Sequence, residues 1–168
     1  AEKVIRDYGR VDVLINNAAL SRGGIDDCSW EEFNYVLRTG VTAPFMLTRL
    51  LIDHFTDQAV IVNISSTRDR MSQRNTESYT AAKGGISALT HALAVSLAGK
   101  VRVNAVSPGW IDTEGNNFDA ADKNQHPAGR VGNPRDIAHL VLFLCSDKAG
   151  FITGENITVD GGMTKLMI

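Results

Sequence analysis

Ser66, Tyr79 and Lys83 are the residues whose types and spacing point to acid–base chemistry in this chain. Tyr79 and Lys83 are four apart at the start of a long helical pattern, which puts both on one helix face. An ammonium beside a phenol favours the phenolate, so the phenol becomes a usable proton donor and acceptor. Ser66 lies at the end of an apolar, β-branched run, Ala59 to Ile64, that reads as a buried strand. Its hydroxyl is then within conceivable reach of the tyrosine. Taken alone, the Tyr-x-x-x-Lys pair also fits a packed ring and a solvated cation.

The elements that must position these groups follow from pattern and punctuation. Residues 1–8 read as the last turns of an amphipathic helix, with Gly9 as its stop. Val11 to Ile15 is a short strand, and the turn Asn16-Asn17-Ala18-Ala19 after it has side chains small enough for something to approach the backbone. Ser29, with Glu32 three residues on, makes a capping box that opens one long helix, bent near Gly40 and Pro44 and running toward Asp57. A helix from about Ser78 to Leu97 carries small residues near its start, suited to close packing against a partner helix. Val101 to Val106 is the next strand, ended sharply by Ser107-Pro108-Gly109. Glu114 to Gly132 has little periodicity and reads as a substrate loop or lid. Asn133 caps a helix beginning at Pro134, and Asn156 to Val159 is the last strand. The strands are short and apolar rather than alternating, so the expected fold is α/β, a parallel sheet with helices on both faces.

Composition narrows the classes. The 168 residues, 43% of them hydrophobic, suit a single globular domain spanning 1–168. A formal charge of -2 predicts no nucleic-acid partner. Cys28 and Cys145 demand neither a disulfide nor a metal, and no membrane-spanning run stands out, so a cytoplasmic setting is expected. There is no Walker A turn, no His-Glu-x-x-His and no Gly-x-Ser-x-Gly. His54, His91, His126 and His139 are scattered and read as surface or packing, which leaves Ser66 without the histidine that a hydrolase needs. Arg68, Arg70 and Arg74 read as a solvated surface, with an anionic substrate contact as the alternative.

In order along the chain, these motifs resemble the C-terminal two-thirds of the short-chain dehydrogenase/reductase family. Asn16-Asn17-Ala18-Ala19 is similar to that family's Asn-Asn-Ala-Gly, with Ala19 in place of the glycine. Val62 to Ser66 resembles the strand that ends in its active serine, and the thirteen-residue interval to Tyr79 fits. Asn104 to Gly109, followed by Thr113, resembles its nicotinamide-side loop. Gly129 to Ile137 and Gly154 to Gly162 resemble its later segments. The resemblance implies a partial doubly wound Rossmann-like sheet whose strands correspond to 4-5-6-7 of the order 3-2-1-4-5-6-7. It implies hydride transfer between NAD or NADP and a small carbonyl or alcohol, with Ser66, Tyr79 and Lys83 catalytic. Asn17, Ala18, Ala19, Tyr79, Lys83, Pro108, Gly109, Ile111 and Thr113 would face the cofactor. Residues 68–76 and 114–132 would shape substrate choice. A homodimer or homotetramer through the two long helices is also implied.

Two departures from the family stand out. Gly40 occupies the place of the usual active-site asparagine. The glycine-rich phosphate turn, with the strands around it, has no counterpart in the sequence, so the chain by itself is expected to bind cofactor poorly and turn over little. Val11–Ile15 is then expected at a sheet edge. The alternative is a non-catalytic Rossmann-like module, or a remnant of a larger enzyme, acting only in self-association.

Overall fold

The computed structural model describes residues 1–167. The chain runs α1 (Glu2–Tyr8), β1 (Val11–Asn16), α2 (Trp30–Leu37), a π-helical turn (Arg38–Thr42), α3 (Ala43–Leu51), β2 (Phe55–Ile64), α4 (Glu77–Ser96), β3 (Val101–Pro108), α5 (Ala120–Asn124), α6 (Pro134–Cys145) and β4 (Asn156–Val159). The four strands pair in sequence order, β1-β2-β3-β4, and every pairing is parallel.

The continuous apolar character of β2 follows from burial on both faces. Ala59 and Ile61 join Leu51, Leu93, Ala94 and Val103 in a core under α3 and α4. Val60 and Val62 point the other way and pack with Val106, Val141, Leu144 and Ala149 under α6. Helix α6 starts as expected: Asn133 accepts from the Arg135 N–H, Asp136 reaches back to the Asn133 N–H, and Pro134 takes the first turn, where its missing donor costs nothing.

The expected bent helix is three pieces. Ser29 and Glu32 exchange the two capping-box hydrogen bonds. The bend is the π turn around Gly40, and Pro44 falls at the start of α3. A Cβ on Gly40 would stand 2.9 Å from the Ala82 Cβ, and one on Gly85 would stand 2.8 Å from Val41 Cγ2. The small residues of α4 at 82 and 85 thus serve a helix contact inside this chain.

Four other boundaries differ from the sequence reading. Strand β2 begins at Phe55 rather than Ala59. Its pairing with β1 jumps from Val11↔Phe55 to Val13↔Val60, and Gln58 in the irregular stretch takes φ 66°. Helix α4 begins at Glu77 rather than near Ser78, and the Ser78 Oγ donates to the Gly23 carbonyl at 2.6 Å and ties down the loop after β1. Strand β3 continues through Ser107 and Pro108, which pair with Thr158 and Val159. The N–H groups of Ala105 and Gly109 point to β4 while Val106 faces β2's side. By alternation, the donor that Pro108 lacks would point where β2 has already ended. Finally, the 114–132 segment contains the short helix α5, capped by Asp119.

Candidate active site

The C-terminal ends of β1, β2 and β3 open into a cleft of about 1260 Å³. Ligands bind at this end of open parallel sheets. Ser66, Tyr79 and Lys83 all line it, as do Asn17, Ala19, Pro108, Gly109, Ile111 and Thr113. Ala18 lies between two lining residues but is not itself in the wall.

Ser66 lies two residues past β2 in extended geometry, and its Oγ accepts from the Arg68 N–H at 3.2 Å, leaving its own O–H free to donate into the cleft. Lys83 is buried, 5% exposed. Its Nζ donates to the Ile64 carbonyl at 2.7 Å and lies 5.4 Å from the centroid of the Tyr79 ring. Burial pushes the Lys83 ammonium down to about 8. The pair does share a helix face, but the lysine's hydrogen bond goes to the end of β2 rather than to the phenol. It thereby clamps the tyrosine's helix against the strand that leads to Ser66.

Behind the three side chains is a polar cluster that the sequence did not reveal. The Asp69 side chain is 5% exposed. Its Oδ2 accepts from Ser87 Oγ at 2.8 Å and from Asn156 Nδ2, and Ser107 Oγ donates to Asn156 Oδ1 at 2.7 Å. Ser65 Oγ lies 3.0 Å from the Lys83 carbonyl oxygen and 2.7 Å from Ser87 Oγ, and its one proton serves these two acceptors. One carboxylate therefore joins β2's end, α4, β3 and β4 under the cleft floor. The Asx-type spacing that marks caps could not signal it, because its partners lie 18 and 87 positions away.

The far wall is set by two further pins. Arg130 donates two 2.7 Å bonds to the Asp136 carboxylate. That pairing, together with the Asn133 N–H, holds Asp136 down to about 2 and fixes the end of the 114–132 segment on α6. Asp160 accepts from the Gly162 and Thr164 N–H groups and from the Thr164 hydroxyl. Burial raises the Asp160 carboxyl, but these bonds outweigh it and the net shift is downward. They anchor the turn that brings Met163 and Leu166 into the cleft wall. Gly109 has to be glycine here, because a Cβ would stand 2.6 Å from that of Asp160. Trp110 packs edge-on against Phe118 at 5.3 Å, which joins the loop to the strand end. Of the histidines only His126 is buried, and its Nδ1 lies 3.1 Å from the Asp122 carbonyl oxygen. Among the described residues no acidic, cysteine and histidine side chains cluster as a metal site.

Residues 1–164 match the family model described as enoyl-(acyl carrier protein) reductase. The chain belongs to the short-chain dehydrogenase/reductase superfamily. This membership classes it with the NAD(P)-dependent oxidoreductases. An uncharacterized oxidoreductase of Thermotoga maritima is 48% identical over 99% of this chain and 70% of its own length. An apo SCOR enzyme from Clostridium thermocellum superposes with a TM-score of 0.93 at 48% identity, covering 99% of this chain and 68% of that one. A 3-ketoacyl-(acyl-carrier-protein) reductase from Brucella melitensis, solved with NADH, superposes with a TM-score of 0.87 at 34% identity, covering 97% of this chain and 71% of that one. Beside Gly40, where a side chain would stand, lies the Ala82 Cβ.

Proposed function

We propose that this chain carries the catalytic and substrate-facing part of an oxidoreductase that interconverts a small carbonyl and its alcohol. The observation that carries this reading is the convergence of Ser66, Tyr79 and buried Lys83 on one cleft. A bound nicotinamide supplies or accepts the hydride. Tyr79 gives its phenolic proton to the carbonyl oxygen as an alkoxide develops, and takes it back in the reverse direction. The Ser66 hydroxyl donates to the same oxygen and fixes its position. Lys83 holds Tyr79's helix in register and, as the buried cation beside it, favours the phenolate that forms.

The nicotinamide and its ribose fit the described residues. Asn17, Lys83 and Thr113 offer polar atoms, Ala19 and Gly109 leave the backbone open, and Pro108 and Ile111 give an apolar wall. The cleft exceeds the few hundred to about 1,000 Å³ of a typical small-molecule site, leaving space for a substrate beside the ring. The described residues include no glycine-rich turn opening a helix to cradle a pyrophosphate. This reading therefore assigns them the nicotinamide end of NAD or NADP alone. The 114–132 segment acts as the substrate loop, supported by Gln125 in the cleft wall and by the Trp110–Phe118 contact. A reducing, cytoplasmic setting is supported by the free thiols of Cys28 and Cys145. Self-association through α3 and α4 is supported by the exposed Phe45, Met46, Leu50 and Val95. No described helix is long and apolar enough to cross a membrane.

The test is Tyr79→Phe in the full-length protein. Loss of the proton donor lowers kcat for carbonyl reduction by about 10²–10⁴-fold, with nicotinamide affinity kept within a small factor. Near-normal turnover would overturn the assignment.

A further inference from the structure

The segment after β2 carries three arginines, and two of them have carboxylate partners. Arg70 Nε is 3.0 Å from Asp69 Oδ1, and Arg74 Nη2 is 3.2 Å from Asp26 Oδ2. Arg68 differs. It is partly buried and lines the cleft, and among the described residues no carboxylate lies within ion-pair distance of it. Lys83 is the other charged residue in the wall, and its ammonium is engaged by the Ile64 carbonyl. Among the described residues no aspartate or glutamate lines the cleft. An unpaired guanidinium in such a wall is matched best by a planar, two-oxygen anion, which its fork can hold with two parallel hydrogen bonds.

We propose that Arg68 is the specificity-determining residue of this site and receives a carboxylate on the substrate, so that the preferred substrates are oxo acids and their hydroxy-acid products. This rests on the oxidoreductase reading above. The Arg68 N–H is bonded to Ser66 Oγ, which anchors the guanidinium's stem beside the hydroxyl that holds the reacting oxygen. A substrate spanning the two carries its carbonyl and its carboxylate a few bonds apart. Met71, Trp110 and Ile137 give the carbon chain between them an apolar wall.

A cofactor phosphate is the other source of negative charge, and kinetics separates the two. The full-length protein is assayed with 2-, 3- and 4-oxo carboxylates and with the methyl ester of each, using both nicotinamide cofactors. The wild type prefers the acid over its ester by between about 10- and 100-fold in kcat/KM, the range for a charge-assisted hydrogen bond. Arg68→Leu removes that preference by raising the acid's KM, and a circular-dichroism spectrum and melting temperature matching wild type show that the variant is folded. Arg68→Lys restores part of it, since an ammonium keeps the charge but not the fork. Equal use of acid and ester by the wild type overturns the inference and leaves the oxidoreductase reading standing. So does an Arg68→Leu effect that falls on the cofactor KM instead. Absence of turnover with every acid, every ester and both cofactors overturns the oxidoreductase reading and this inference with it.

Discussion

The side chain under most tension in the site is Lys83. Its ammonium is buried with a single carbonyl partner, and burial alone pushes it down to about 8. In the unfolded chain a lysine titrates near 10.4. Between those two values the unfolded state binds the proton more strongly than the folded state does. Folding stability attributable to Lys83 therefore rises as pH climbs from about 8 toward 10.4 and is at its lowest below 8. The gain is on the order of 2–3 kcal/mol across that window. Urea unfolding of wild type and Lys83→Met at pH 7 and pH 10 isolates it, because other titrating groups are common to both. The wild type is expected to gain stability relative to the variant at the higher pH. Parallel behaviour of the two proteins would place the ammonium in water. The fold keeps this cost because the same buried cation secures Tyr79's helix to the end of β2.

At the scale of elements, the junction between the π turn and α4 is a close backbone approach. Any side chain at Gly40 meets the Ala82 Cβ at 2.9 Å, and Ala82 is 3% exposed with nowhere to withdraw. Gly40→Ala should destabilise by about 1–3 kcal/mol, the usual cost of overpacking. Ala82→Gly made in the same chain should recover a large share of that, so a double-mutant cycle reports strong coupling. Additive effects would mean that the two backbones do not press on each other. This contact also marks what the sequence could and could not disclose. The Ser29 and Asn133 caps and the two-faced burial of β2 were legible, because each is written in neighbouring residues, and the order of the strands was legible through the family resemblance. Ser66, Tyr79 and Lys83 were legible as a set through their spacing and the motifs around them. The Ala82–Gly40 contact, the buried Asp69 and the anchoring of the loop after β1 by Ser78 were not, because each depends on a residue distant in sequence. Arg68, Arg70 and Arg74 look alike in sequence, and tertiary contacts alone distinguish the one without a carboxylate partner.

For the molecule as a whole, the sheet of the described residues ends on one side at β1, whose sole strand neighbour among them is β2. Leu14 packs into the core under α3 and α4, so by alternation Val13 and Ile15 face the other layer. There α6 contacts β2 and β3, and Val13 and Ile15 remain 41% and 48% exposed. An apolar strand with one free edge is a template for pairing with a second copy. The 168-residue chain is therefore expected to self-associate through β1 at micromolar concentration. Val13→Lys puts a charge on that strip without touching the α3–α4 core, and it should shift the population toward monomer in sedimentation velocity. Leu50→Lys, on the exposed side of α3, tests the other candidate surface in the same experiment. Dissociation by Leu50→Lys with none by Val13→Lys would assign the assembly to the helices and acquit the edge. Dissociation by Val13→Lys alone would show that the unpaired strand, not the helix pair, governs how copies of this chain meet.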